Sequence, residues 1–183
     1  MLFRSVITGG PGTGKTTIIK AITDLYQKIY GLSREKLMND VVLLAPTGRA
    51  SKRMSNVSFL PSYTIHRFLK WNKESDTFLI NEENKSTVKF VIVDEASMLD
   101  TELFYNLLLG LEVGTRIVLI GDYNQLPSVG PGQVLKDIIL SDIVPCTYLK
   151  KLYRQKEGSN INLLAVDIPN KKWIFLYLIL QMI

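Results

Sequence analysis

Gly9 to Thr17 reads GGPGTGKTT, and the fold follows from how this stretch is read. It has the spacing G-x-x-x-x-G-K-[ST], with Gly9, Gly14, Lys15 and Thr16 at the fixed positions. Glycines are needed where backbone N–H groups must turn inward around phosphates, because a Cβ would block the approach or forbid positive φ. Lys15 supplies a point charge for the β- and γ-phosphates, and the Thr16 hydroxyl a ligand for magnesium. The candidate nucleotide-binding loop is therefore Gly9, Gly10, Pro11, Gly12, Thr13, Gly14, Lys15, Thr16 and Thr17. Its flanks agree: Leu2 to Thr8 is a short apolar strand candidate, and Lys15 to Tyr30 is compatible with a helix. The loop thus opens a helix whose N-terminal dipole favours anions.

Outward from the loop, apolar runs mark further strands. Val41 to Ala45 (VVLLA) is continuous, as expected of a strand buried on both faces, and Pro46 ends it. Val88 to Val93 (VKFVIV) and Thr115 to Ile120 (TRIVLI) repeat the pattern. Ile143 to Leu149 (IVPCTYL) makes a fifth strand, placed at an edge by Pro145. Between them the sequence predicts a polar connection from Gly31 to Asp40 and a helix from Thr47 to Met54 with Thr47 as its cap. It also predicts a short helix from Ser62 to Trp71, a surface hairpin or loop from Glu74 to Thr87, and helices over Asp100 to Leu111 and Gln133 to Ser141. Strands alternating with helices give an α/β fold with a parallel sheet and right-handed crossovers.

Asp94 and Glu95 directly follow the Val88 strand. In an open parallel sheet the ligand crevice lies at the carboxyl ends of the strands, so this pair faces the same crevice as the phosphate loop. One acid can hold magnesium and the next can orient the attacking water. Gln125, five residues past Ile120, is a neutral amide able to sense a γ-phosphate without competing for the metal.

The composition is that of one globular domain: 183 residues, 46% hydrophobic and 21% charged. A lone cysteine, Cys146, excludes an internal disulfide and a C-x-x-C metal pair, which fits a reducing cytoplasm. Only eight residues precede the phosphate loop, too few for a signal peptide, so a cytoplasmic location is expected. Net charge is +5, concentrated in Val41 to Lys73, which holds six basic residues and no acidic one. Tyr63, His66, Phe68 and Trp71 are interleaved with the later charges. This is either a basic groove with aromatic platforms for single-stranded nucleic acid or a solvated face whose aromatics turn into the core.

Six motifs in order, across Leu2 to Leu164, resemble the first motor domain of RecD-type superfamily-one DNA helicases. GGPGTGKTT is similar to that family's Walker A motif, and APTGRASKR, Ala45 to Arg53, to its motif Ia, which contacts single-stranded DNA. TIHRFL, Thr64 to Leu69, resembles the helix that follows near the DNA path. VDEASMLD, Val93 to Asp100, is similar to the Walker B motif, and GDYNQLPSVGPG, Gly121 to Gly132, to motif III. LYRQ, Leu152 to Gln155, resembles motif IV.

The resemblance implies a RecA-like P-loop NTPase domain with a five-stranded parallel sheet in the order 5-1-4-3-2, and ATP with Mg2+ as cofactors. It implies Thr16 and Asp94 at the metal, and Lys15, Glu95, Gln125 and Arg154 as catalytic residues. Thr47, Gly48, Arg49 and Lys52 would contact DNA, while His66 stays divided between DNA contact and a structural role. It further implies 5′-to-3′ movement on single-stranded DNA in recombination or repair, with other repair subunits as partners and no membrane. The motor domain is expected over residues 1–165, and 166–183 as a non-matching apolar tail. Trp173 to Ile183 is too short to span a bilayer, and reads as a last core element or as the end of a truncated or frame-shifted product. Without the family's second motor domain and its arginine finger, the chain is expected to bind ATP far better than it hydrolyses it.

Overall fold

The computed structural model describes residues 2–126 and 128–151. Its centre is a parallel sheet built from β1 (Leu2–Gly9), β2 (Val41–Ala45), β3 (Ser62–Thr64), β6 (Phe90–Val93), β7 (Arg116–Gly121) and β8 (Cys146–Leu149). These lie in the order β3-β2-β6-β7-β1-β8, every neighbouring pair parallel. The five expected strands appear in the expected order. The expected count of five is corrected to six, because Ser62–Thr64 is an edge strand and not the start of a helix. Leu43 to Ala45 presents an unpaired backbone edge, and the Ser62 segment satisfies it in register, Leu43 opposite Ser62 and Ala45 opposite Thr64. The Ser62 hydroxyl also donates to the Ser51 carbonyl, fixing the strand to the helix before it.

Five described helices of seven residues or more fill the connections: α1 (Lys15–Ile29), α2 (Arg34–Asp40), α3 (Gly48–Ser58), α5 (Thr101–Leu109) and α6 (Val134–Leu140). The stretch expected as a polar connection contains α2, which Ser33 caps by accepting from the Lys36 N–H at 3.1 Å and which anchors through buried Leu37. A four-residue helix, α4 (Ile65–Phe68), follows β3, capped by Thr64. The polar stretch beyond it folds as the antiparallel hairpin β4 (Trp71–Asn72) and β5 (Thr77–Phe78).

Strand periodicity decides which face each helix covers. Leu43, Ala45, Ile92, Val118 and Ile120 point to one side, where Ile19, Ile22 and Tyr26 of α1 meet Ala50 and Met54 of α3. Val42, Leu44, Val91, Val93, Ile117 and Leu119 point to the other, against Ile65, Leu103, Leu107 and Leu135. Phe90 is fully buried, and its ring lies 4.9 Å from that of Tyr26. Two packed layers therefore hold six parallel strand ends on one rim. Among the described residues, no helix is long and apolar enough to cross a membrane.

Candidate nucleotide and metal site

The central strand β1 delivers the phosphate loop at its carboxyl end. Gly12 and Gly14 have φ of 79° and 86°, left-handed values that favour glycine. Gly14 is also the N-cap of α1, so no side chain caps that helix and no acidic residue stands in its first turn. The helix N-terminus is thus open toward an anion. Gly9 is glycine for another reason. A Cβ there would lie 2.8 Å from Leu149 Cβ and 2.8 Å from Thr13 Oγ1, so the approach of β8 and of the loop's own Thr13 already requires a glycine. The Thr13 hydroxyl, buried beneath the loop, donates to Gly10 O at 2.8 Å and closes the turn. Pro11 and Thr17 are exposed, and Thr16 is half-buried in the first turn of α1.

Lys15 bends back over the loop, its Nζ donating to Gly9 O at 2.7 Å and Gly10 O at 2.9 Å. Burial lowers its pKa, against the opposing fields of Asp122 and then Asp94. Asp122, at the end of β7, is buried and was not singled out from the sequence. The signal was there, since it is a carboxylate directly after an apolar strand and Gly121. It accepts from the Asn124 N–H at 3.1 Å, while the Tyr123 N–H donates to Thr8 Oγ1 of β1 at 3.3 Å. The Gln125 N–H donates to Asp122 O at 3.0 Å, and Gln125 is exposed.

Asp94 directly follows β6 and is fully buried. Its Oδ1 accepts from the Glu95 N–H at 2.9 Å, whereas its Oδ2 is buried without a hydrogen-bond partner. Burial pushes the Asp94 carboxyl above its usual range, an effect that the Glu95 N–H and Arg53 partly offset. An orphaned buried carboxylate oxygen suits a divalent cation, which would supply the charge that the protein leaves out. Among the described residues no group of three or more His, Cys, Asp or Glu forms a metal cluster. This donor set fits a cation held by one or two side chains together with phosphates. Glu95 has φ of 54°, a left-handed backbone for a non-glycine residue, and this strain coincides with the position expected to orient water.

The second carboxylate neighbour is Arg53 of α3, whose Nη2 lies 3.4 Å from Glu95 Oε1 and 3.9 Å from Asp94 Oδ2. On the same helix Thr47 caps by accepting from the Ala50 N–H at 3.3 Å, and Gly48, Arg49 and Lys52 are exposed. The aromatics of the basic segment divide. Tyr63 and Phe68 pack against the core, while His66 and Trp71 are exposed with ring centroids 5.6 Å apart. Arg154 and the 166–183 tail lie outside the described residues.

A family model described as an AAA domain matches residues 4–131. The chain belongs to that family. It is 38% identical over 150 residues to the ATP-dependent RecD2 DNA helicase of Deinococcus radiodurans, covering 82% of this chain and 19% of that protein. It is 35% identical over 171 residues to the RecBCD enzyme subunit RecD of Buchnera aphidicola, covering 84% of this chain and 26% of that one. The crystal structure of the Pif1 helicase from Candida albicans superposes with a TM-score of 0.55 at 24% identity, covering 92% of this chain and 39% of that one; this likeness concerns the fold. The resemblance to the first motor domain of RecD-type helicases is borne out. The chain spans about a fifth to a quarter of the length of these two relatives. Family membership implies a bound nucleotide and a divalent cation.

Proposed function

We propose that this chain is the ATP-binding motor domain of an ATP-dependent DNA helicase that moves 5′ to 3′ on single-stranded DNA in recombination or repair. The observation that carries the reading is the gathering of Lys15, Asp94, Glu95 and Asp122 at neighbouring strand ends, beside a helix N-terminus without a side-chain cap. ATP lies along the Gly9 to Thr17 loop, with Lys15 moving from the Gly9 and Gly10 carbonyls to the phosphates. Thr16 and Asp94 hold Mg2+, which when bound neutralises charge on the phosphate oxygens. Glu95 orients and deprotonates the attacking water, Gln125 senses the γ-phosphate, and Arg154 reaches the same group from beyond the described residues. Thr47, Gly48, Arg49, Lys52 and His66 line the DNA path, where exposed cations meet phosphates and the exposed Trp71 ring offers a stacking surface. The relative named as a RecBCD subunit supports assembly with other repair subunits. The reading also places this domain in the cytoplasm.

Hydrolysis of ATP, measured with and without single-stranded DNA, tests the proposal. DNA-stimulated turnover that Lys15→Ala abolishes is the expected result for the intact enzyme. A polypeptide of these 183 residues alone is expected to bind both ligands and turn over slowly, since it covers a fifth to a quarter of its relatives. Nucleotide affinity left unchanged by Lys15→Ala would refute the assignment.

A further inference from the structure

Arg53 sits one helical turn beyond Arg49 on α3, so the two share a stripe of the helix. Its guanidinium is the cation that the structure sets against both Asp94 and Glu95, at 3.9 and 3.4 Å from their oxygens. The planar fork of arginine can face two carboxylates at once. Yet 3.9 Å is too long for a hydrogen bond, and Asp94 Oδ2 remains buried without one. The contact therefore offsets charge without closing the site. The Arg53 side chain is 57% exposed against 1% for Asp94, so the arginine can leave into solvent while the carboxylate cannot.

We infer that Arg53 is a positioning residue that, while paired with Glu95, competes with the divalent cation for Asp94, and that single-stranded DNA releases both carboxylates by drawing Arg53 to its phosphates. The inference rests on the function proposed above. A cation at Asp94 needs the oxygen that Arg53 faces, and two cations side by side repel. Arg49 and Lys52 are exposed on the same helix, so a phosphate strand bound there brings negative charge within reach of the Arg53 fork. Competition between strand and carboxylates for one guanidinium links the DNA site to the metal site through a single side chain. The field of Arg53 also reaches Lys15, where it acts against Asp122, Asp94 and Glu95. Its departure favours the charged lysine and the pair together.

The test is the gain in nucleotide affinity that magnesium gives, read as the ratio of dissociation constants for a fluorescent ATP analogue in EDTA and in Mg2+. For Arg53→Met in the full chain this ratio should rise about two- to fivefold, the range of a partly exposed ion pair. A gain of this kind is not what a merely damaged fold produces. In the wild type a dT oligonucleotide should move the ratio toward the variant's value, and in Arg53→Met it should have no such effect. If Arg53→Met does not fold, Arg53→Lys carries the test with a smaller rise in the same direction. A variant ratio equal to the wild-type one, or a wild-type ratio indifferent to the oligonucleotide, overturns the inference. Failure of the wild type to bind the analogue or the oligonucleotide sinks the proposed function instead.

Discussion

Alanine at two adjacent glycines of the phosphate loop should change stability in opposite directions. At Gly9 a new Cβ would meet Leu149 Cβ and Thr13 Oγ1 at 2.8 Å and Leu149 O at 2.9 Å. Gly9 and Leu149 are register partners in the β1–β8 ladder, so the backbone oxygen cannot retreat without opening that pairing. Overpacking of this kind costs about 1 to 3 kcal/mol. A chain of this size loses about 2–4 °C of melting temperature per kcal/mol, so Gly9→Ala should melt roughly 2–12 °C lower. At Gly10 a Cβ would meet nothing within 4 Å, and the residue is not among those with positive φ. Gly10→Ala restricts only the unfolded chain and should stabilise by about 0.4–1 kcal/mol, or roughly 1–4 °C. Circular dichroism melts without nucleotide isolate these effects from binding. In a second measurement Gly10→Ala should weaken ATP binding on the function proposed above, since its methyl group would enter open space beside the loop to which the phosphates are assigned. A Gly10→Ala melt at or below that of Gly9→Ala would refute this account of why each position is glycine.

Glu95→Gln should leave ATP affinity intact and remove hydrolysis, as judged by equilibrium binding and phosphate release; a large affinity loss would make Glu95 a ligand. Its melting temperature should barely move, because the left-handed backbone at φ 54° is kept. Arg49→Ala should weaken single-strand binding, with a plot of log affinity against log salt shallower by up to about one phosphate's worth. An unaltered slope would return α3 to a solvated basic face. Burial raises the Cys146 thiol above its ordinary value, opposed in part by a hydrogen bond with Tyr148. The folded state therefore holds the thiol proton to higher pH than the unfolded chain, and this contribution to stability falls as pH rises through that window. Alkylation with iodoacetamide at mildly alkaline pH should accordingly be slower than for a free cysteine, and equal rates would contradict the burial.

The strands with fully buried runs were legible because burial on both sheet faces demands continuous apolar sequence, as in Val41–Ala45 and Phe90–Val93. The two elements that escaped lack that signal. Ser62–Thr64 is half-buried and polar, and is a strand because β2 has an edge to pair. Helix α2 is seven residues long and keeps only Leu37 and Asp40 buried, too short a pattern to show a period. Within the site, the loop and Asp94 were legible because local spacing encodes them. Arg53 was not, since it is 42 positions from Glu95 and meets it only through the order of the strands. Gly9 was legible as a loop glycine, but its close approach to Leu149 was not, because β8 comes to its side only after the chain has run a further 140 positions.

The sheet order itself decides what can communicate with the nucleotide. Because β7 lies between β1 and β6, Asp122 stands between the phosphate loop and Asp94, and Lys15 feels both acids. The end of β2, from which α3 departs, is three strand spacings from the end of β1, about 14 Å. At that range the exposed Arg49 and Lys52 act only weakly on the loop through water and salt, whereas Arg53, set against the carboxylates, still bears on Lys15. Asp94 and Glu95 are only one spacing from β2, within the length of an arginine side chain. A perturbation at the basic helix therefore has a short route to the site through Arg53 and the two carboxylates. Exchanging the two cations, Lys52→Arg with Arg53→Lys, keeps the net charge of α3 but should weaken that route, leaving DNA affinity near the wild-type value and the magnesium ratio less responsive to DNA.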